Sequence, residues 1–174
     1  MEGFLNPQEV LKHLNLREDM IIADFGSGSG GWTIPLAKEV KKGRVFAIDL
    51  LEEPLSALKS RAKLEGITNI ETVLSNLENK NGSKMAGKTC DLVLLTNFLF
   101  QIKDREKAIA EAKRILKKGG KMLIIDWKKD SSVGPKERRI SSKEVKEIAD
   151  NLDLELEQEF SAGVFHFALI FTKV

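Results

Sequence analysis

Residues 21–32 read Ile-Ile-Ala-Asp-Phe-Gly-Ser-Gly-Ser-Gly-Gly-Trp, a short apolar run that ends in an acid and then passes four glycines in six residues. No other stretch limits the fold so sharply. An apolar run of this length is a buried strand, and a helical pattern takes over from about Thr33. Glycines between the two let the backbone turn tightly, let a ligand lie on the main chain, and aim the free N–H groups of a helix start at it. Strand, glycine turn and helix in that order form the first unit of a nucleotide-type site in a doubly wound α/β fold.

The spacing alone leaves two ligand classes open. Gly26-x-Gly28-x-Gly30 is the pattern of S-adenosylmethionine (SAM) enzymes, while Gly26-x-Gly28-x-x-Gly31 fits the dinucleotide fingerprint. Asp24 favours the first class. At a strand end it can meet a ligand ammonium, whereas it would repel a pyrophosphate. Asp49 follows Gly28 by 21 residues, the offset at which a carboxylate at the tip of the second strand receives two ribose hydroxyls. A purely structural glycine turn is the plain alternative, and the second acid counts against it.

The 174 residues suffice for one domain with a real core, expected over 1–174, and are too few for two comfortable ones. Hydrophobic content of 42% and charged content of 31% fit a soluble globular chain. Met1-Glu2-Gly3-Phe4 lacks a basic region followed by a long apolar stretch, and no run reaches membrane-spanning length. One cysteine, Cys90, excludes an internal disulfide and a cysteine-rich metal site; it suits a reducing cytoplasm, and no metal is expected. A net charge of +2 is too small to argue for nucleic acid by itself.

Periodicity and punctuation divide the chain. Asn6-Pro7-Gln8-Glu9 opens a first helix, with Asn6 as cap and Glu9 reaching back. Strands are expected at about 20–24, 44–48, 70–74, 91–95 and 121–126, with helices at 31–41, 52–65 and 104–116, the last stopped by Gly119-Gly120. Ser141-x-x-Glu144 is a capping box for a helix ending near Asn151. Leu152, Leu154 and Leu156 alternate with acids as a sixth strand, and Ser161-Ala162-Gly163 turns the chain into a seventh over 164–172. Strands alternating with helices imply a mostly parallel sheet with helices on both faces, closed by a terminal hairpin.

With this order of elements the chain resembles the class I, Rossmann-like SAM-dependent methyltransferases. The glycine loop, Asp49, Ser75-Asn76-Leu77, the final hairpin and Ile115-Leu116-Lys117-Lys118-Gly119-Gly120 carry the resemblance. The last run is similar to the R-x-L-K-P-G-G segment of the small-molecule branch that includes ubiquinone/menaquinone-biosynthesis enzymes. The resemblance implies a seven-stranded sheet in the order 3-2-1-4-5-7-6 with strand 7 antiparallel. It also implies SAM as cofactor, with S-adenosylhomocysteine as product. On the cofactor side it implies Asp24, Phe25, Gly26, Ser27, Gly28 and Gly30. Asp49 and Leu50, Asn76 and Leu77 beside the adenine, and Thr96 after the fourth strand complete that set. Asn76 reads equally as a loop-capping residue, and Trp32 either walls the cofactor or covers the sheet.

Methyl transfer from a sulfonium needs alignment and dryness more than a base, so the absence of an obvious acid/base constellation is no objection. Thr96-Asn97-Phe98-Leu99 lacks the Asp/Asn-Pro-Pro-Tyr/Phe signature of enzymes that methylate adenine or glutamine amides. Cys90, before the fourth strand, is at the wrong end of the sheet for a nucleophile. Asn97, Asp126 and His166 form a candidate polar set on the acceptor side, beside Phe98 and Phe100. The alternative for His166 is a core histidine. Lys128, Lys129, Lys136, Arg138 and Arg139 in the loop 127–140 either steer an acidic acceptor or RNA, or belong to a solvated loop or lid. The expected acceptor is a small molecule. An RNA methyltransferase, a non-catalytic SAM-binding subunit and a nicotinamide dehydrogenase are the competing readings; acceptor identity and oligomeric state are left open.

Overall fold

The computed structural model describes residues 5–174. Seven strands make one sheet: β1 (Ile21–Phe25), β2 (Arg44–Asp49), β3 (Ile70–Leu74), β4 (Cys90–Thr96), β5 (Leu116–Trp127), β6 (Leu154–Ala162) and β7 (His166–Lys173). Their spatial order is β3-β2-β1-β4-β5-β7-β6. The first five run parallel and β7 runs antiparallel to both its neighbours.

The strand residues alternate between two apolar layers, as a pleated sheet requires. Ile22, Leu94, Ile125 and Ala168 face α1 (Pro7–Leu11) and α2 (Thr33–Glu39). Phe25, Leu95, Ile124 and Phe167 face α4 (Arg105–Ile115) and α5 (Ser142–Asn151). On the first of these faces, α3 (Glu52–Leu64) presses Leu55, Leu58 and Ala62 against Ile34 and Ala47. Between β3 and β4 no helix covers the second face. The segment 75–89 lies there instead, inserting Leu77 and Met85, and Ser83 is tied to Glu111 of α4 by its N–H (3.0 Å) and its hydroxyl (2.5 Å).

Local signals account for several boundaries. Ser141 and Glu144 form the expected capping box, with N–H to side-chain oxygen distances of 3.2 and 2.9 Å. Asn6 accepts from the Gln8 N–H, but Glu9 pairs with Lys12 instead of reaching back. Two boundaries differ because sheet pairing overrides turn residues. The helix α4 ends at Ile115, and β5 already pairs with β4 at Leu116, so residues 117–120 bulge out of the ladder. Gly119, at φ +76°, serves that bulge rather than a helix stop. Ser161 and Ala162 pair with Phe167 and His166, which moves the hairpin turn to 163–165 and starts β7 at His166. Among the described residues no helix is long and apolar enough to cross a membrane, and no group of three or more metal-ligating side chains occurs.

Candidate functional site

The carboxyl ends of β1, β2 and β4 lie side by side, and the glycine turn is fastened across them. Gly26 and Ser27 both donate to the Ile48 carbonyl at the end of β2 (2.8 and 3.1 Å). This brings the Gly28 N–H to Asp49, where it donates to Oδ2 at 2.8 Å, while Leu51 donates to Oδ1 at 3.0 Å. Each carboxylate oxygen thus carries one backbone donor and keeps a free lone pair at a half-buried position. Gly26, Gly28 and Gly30 all have positive φ. At Gly26 the choice is also steric: a Cβ there would sit 2.5 Å from Cδ2 of Phe98. At Gly28 the added atom would meet open space, so the turn leaves bare backbone beside Asp49.

Asp24 is fully buried behind this turn. The Thr33 hydroxyl donates to its Oδ2 at 2.6 Å, and Oδ1 has no partner. Burial pushes its pKa up to about 6; the Thr33 hydroxyl opposes that rise and the nearby Asp49 charge adds to it. The two acids therefore share one electrostatic environment. Ser27 Oγ and Asn97 Oδ1 are also buried without partners at these strand ends. Three orphaned oxygens at the adjoining carboxyl ends of β1 and β4 fit a ligand that brings donors and a positive charge.

The remaining cofactor-side residues differ in what they offer. Phe25 and Leu77 turn their side chains into the core, so only their backbone is left to meet a ligand. Leu50, at 61% exposed, presents an apolar surface next to Asp49. Asn76 caps its loop, its Oδ1 accepting from the Glu78 N–H at 2.9 Å. Thr96 ends β4 as a buried residue with the same strand parity as Leu92 and Leu94, which puts it on the Asp24 face. Trp32 packs in the core layer of α1 and α2 and covers the sheet.

The acceptor-side set does not assemble as one group. Asp126 pairs with Phe167 and Trp127 with His166, so Asp126 and His166 point to opposite faces of the sheet. Asp126 is fully buried and accepts from the N–H groups of Trp127 (2.8 Å) and Phe100 (3.3 Å), which fastens the segment after β4 to β5. Burial raises its pKa to about 6 against those backbone donors. His166 lies against Trp127 with ring centroids 4.1 Å apart and the ring planes tilted by 41°, and both its ring nitrogens are without partners. Burial, with the Lys128 charge, lowers its pKa to about 4, so the ring is neutral. Asn97 has a left-handed backbone, φ +50°.

The basic loop is not a free cationic surface. Arg139 donates to the carbonyls of Lys128, Lys129, Ser131, Val133 and Pro135. Lys128 donates to Ser161 Oγ and the Val164 carbonyl, Lys129 pairs with Glu144, and Arg138 donates to the Ile102 carbonyl. Gly134 lies against the Trp127 ring, where a Cβ would come within 2.6 Å of it. The loop is thus pinned, and it covers the Trp127 ring. Thr33 and Arg139 are the residues that sequence patterns missed. Thr33 carried a signal as the first residue of the helix after the glycine turn; Arg139 was one charge among five. Cys90 lies at the opposite end of β4, where burial raises its thiol pKa to about 12 and keeps it protonated.

Known proteins share this architecture. A SAM-dependent methyltransferase from Aquifex aeolicus superposes with a TM-score of 0.88 at 28% identity, covering 98% of this chain and 90% of that one. The cyclase SpnF superposes with a TM-score of 0.83, covering 96% of this chain and 79% of its own, but at 13% identity the likeness is one of fold alone. A ubiquinone/menaquinone biosynthesis C-methyltransferase from Hydrogenovibrio crunogenus is 30% identical over 116 residues, 66% of this chain. The chain spans 44% of that relative's length. The methyltransferase domain family matches residues 23–124, which hold the glycine turn, both acids, all of β2 and the end of β1. The chain belongs to the methyltransferase domain family.

Proposed function

We propose that residues 1–174 act as one SAM-dependent methyltransferase domain, moving a methyl group to a small-molecule acceptor in the cytoplasm. The observation that carries this reading is Asp49, whose two oxygens each keep a free lone pair beside bare glycine backbone. In this reading Asp49 accepts the two ribose hydroxyls, and Leu50 covers the adenine. Asp24, oriented by Thr33, takes the ammonium through its unanswered oxygen. When bound, the sulfonium supplies a methyl group already activated for in-line displacement.

The chain's own contribution is then alignment and exclusion of water. Asp126 holds the segment after β4 in position. Trp127, His166 and the pinned loop 128–139 wall the acceptor side, and the neutral imidazole offers hydrogen bonds without charge. A base is not among the roles assigned, because Asp126 is spent on backbone N–H groups and His166 is a weak base. The C-methyltransferase name of the relatives supports an acceptor with a nucleophilic ring carbon, for which the Trp127–His166 wall is suited. The internal commitments of Lys128, Lys129, Arg138 and Arg139 count against RNA as acceptor. Incubation with methyl-labelled SAM and a panel of small hydroquinones and phenols tests the reading. Label should move to a ring carbon of a small acceptor, and transfer to RNA alone would contradict it.

A further inference from the structure

The end of the sheet away from the glycine turn holds a cavity that methyl transfer does not use. It has a volume of about 330 Å³, within the range of small-ligand pockets, and lies at the amino ends of β1, β4 and β5. Asp24, Thr96 and Asp126 are at the carboxyl ends of the same three strands. Leu14, Leu16, Met20 and Leu92 form its apolar part. Arg17, Lys117, Lys118 and Lys121 also line it, against one carboxylate, Asp91.

This concentration of cations has a local cause. The bulge at 117–120 lifts Lys117 and Lys118 out of the β4–β5 ladder. Asp91 then arranges the site rather than filling it. One oxygen takes the Ile21 N–H at 2.8 Å; the other holds Lys117 Nζ at 2.8 Å and lies 3.9 Å from an Arg17 nitrogen. Lys121 pairs with Glu157 at 2.7 Å. Lys118 is exposed, and its side chain has no hydrogen bond or ion pair among the described residues. Arg17 also pairs with Asp19 at 3.2 Å, so Lys118 is the cation left over at the cavity, beside apolar side chains that a bare inorganic ion would leave uncovered.

We propose that this cavity binds a small organic anion, an apolar body carrying one carboxylate or phosphate head, at a site separate from the glycine turn. The inference does not depend on the methyl-transfer reading. It is tested by two-dimensional NMR of the full-length, nitrogen-15-labelled chain titrated with hexanoate, phenyl phosphate and inorganic phosphate. Saturable shifts are expected at the amides of Leu16, Gly119 and Gly120 with hexanoate or phenyl phosphate, and the tighter-binding of the two serves as the probe. Lys118→Glu should raise the Kd of that probe about fivefold, the effect of reversing one exposed charge, while the Gly26 and Gly28 amides stay still. Three results would overturn the proposal: no saturable shift at those amides, inorganic phosphate binding as tightly as the organic probes, or displacement of the probe by S-adenosylhomocysteine.

Discussion

Asp24 has one oxygen held by Thr33 and one with no partner, in a setting that raises its pKa to about 6. An acid raised in the folded state favours folding most below the usual value of 3.8, and that contribution is lost as pH rises through about 6. A ligand ammonium reverses the preference, because it pairs with the ionised form. Affinity for S-adenosylhomocysteine should therefore be full above pH 6 and fall by up to about tenfold per pH unit below it. Titration calorimetry between pH 5 and 7.5 reads this directly, and Asp24→Asn should bind weakly with a flat profile. A wild-type profile as flat as the variant's would remove the ammonium role from Asp24. Asp24 was legible in the sequence because it stands two residues before the first glycine. Thr33 as its partner was not, since that pairing depends on how α2 leaves the turn.

At the scale of elements, strand and helix types followed from apolar periodicity, while several boundaries were decided by pairing partners that a local pattern does not contain. Gly119-Gly120 reads as a helix stop only until β4 is alongside, where Leu116 already pairs with Cys90. The separation of Asp126 from His166 has the same origin. Sequence puts both at the carboxyl end of the sheet, but the β5–β7 register decides the face. The sequence leaves the loop 127–140 open between a surface that steers an acidic acceptor or RNA and a solvated loop or lid, because the carbonyls that hold Arg139 leave no trace in the side-chain pattern. Arg139→Ala should speed amide exchange across 128–139 and raise the acceptor KM severalfold while leaving S-adenosylhomocysteine affinity unchanged. Unaltered exchange would mean that the loop is held by something other than this guanidinium.

Across the whole molecule, opposing titrations shape acid stability. Asp24 and Asp126, both raised to about 6, favour the folded state as pH falls. His166, lowered from 6.5 to about 4, works the other way: its contribution is present above 6.5 and is lost as pH falls through about 4. Urea unfolding at pH 7 and pH 4.5 should show His166→Phe losing less stability on acidification than the wild type, by on the order of 2 kcal/mol. Equal losses would place the imidazole in a wetter setting than its burial against Trp127 implies. The central claim concerns the same end of the sheet, where Asp49 at the end of β2 meets the glycine turn after β1. Its most direct test is the affinity of the wild type and Asp49→Ala for S-adenosylhomocysteine, with urea midpoints measured alongside. The account predicts a wild-type complex and about 100-fold weaker binding by the folded variant, the loss of two hydrogen bonds to a charged group. Equal binding by both, or none by the wild type, would contradict it.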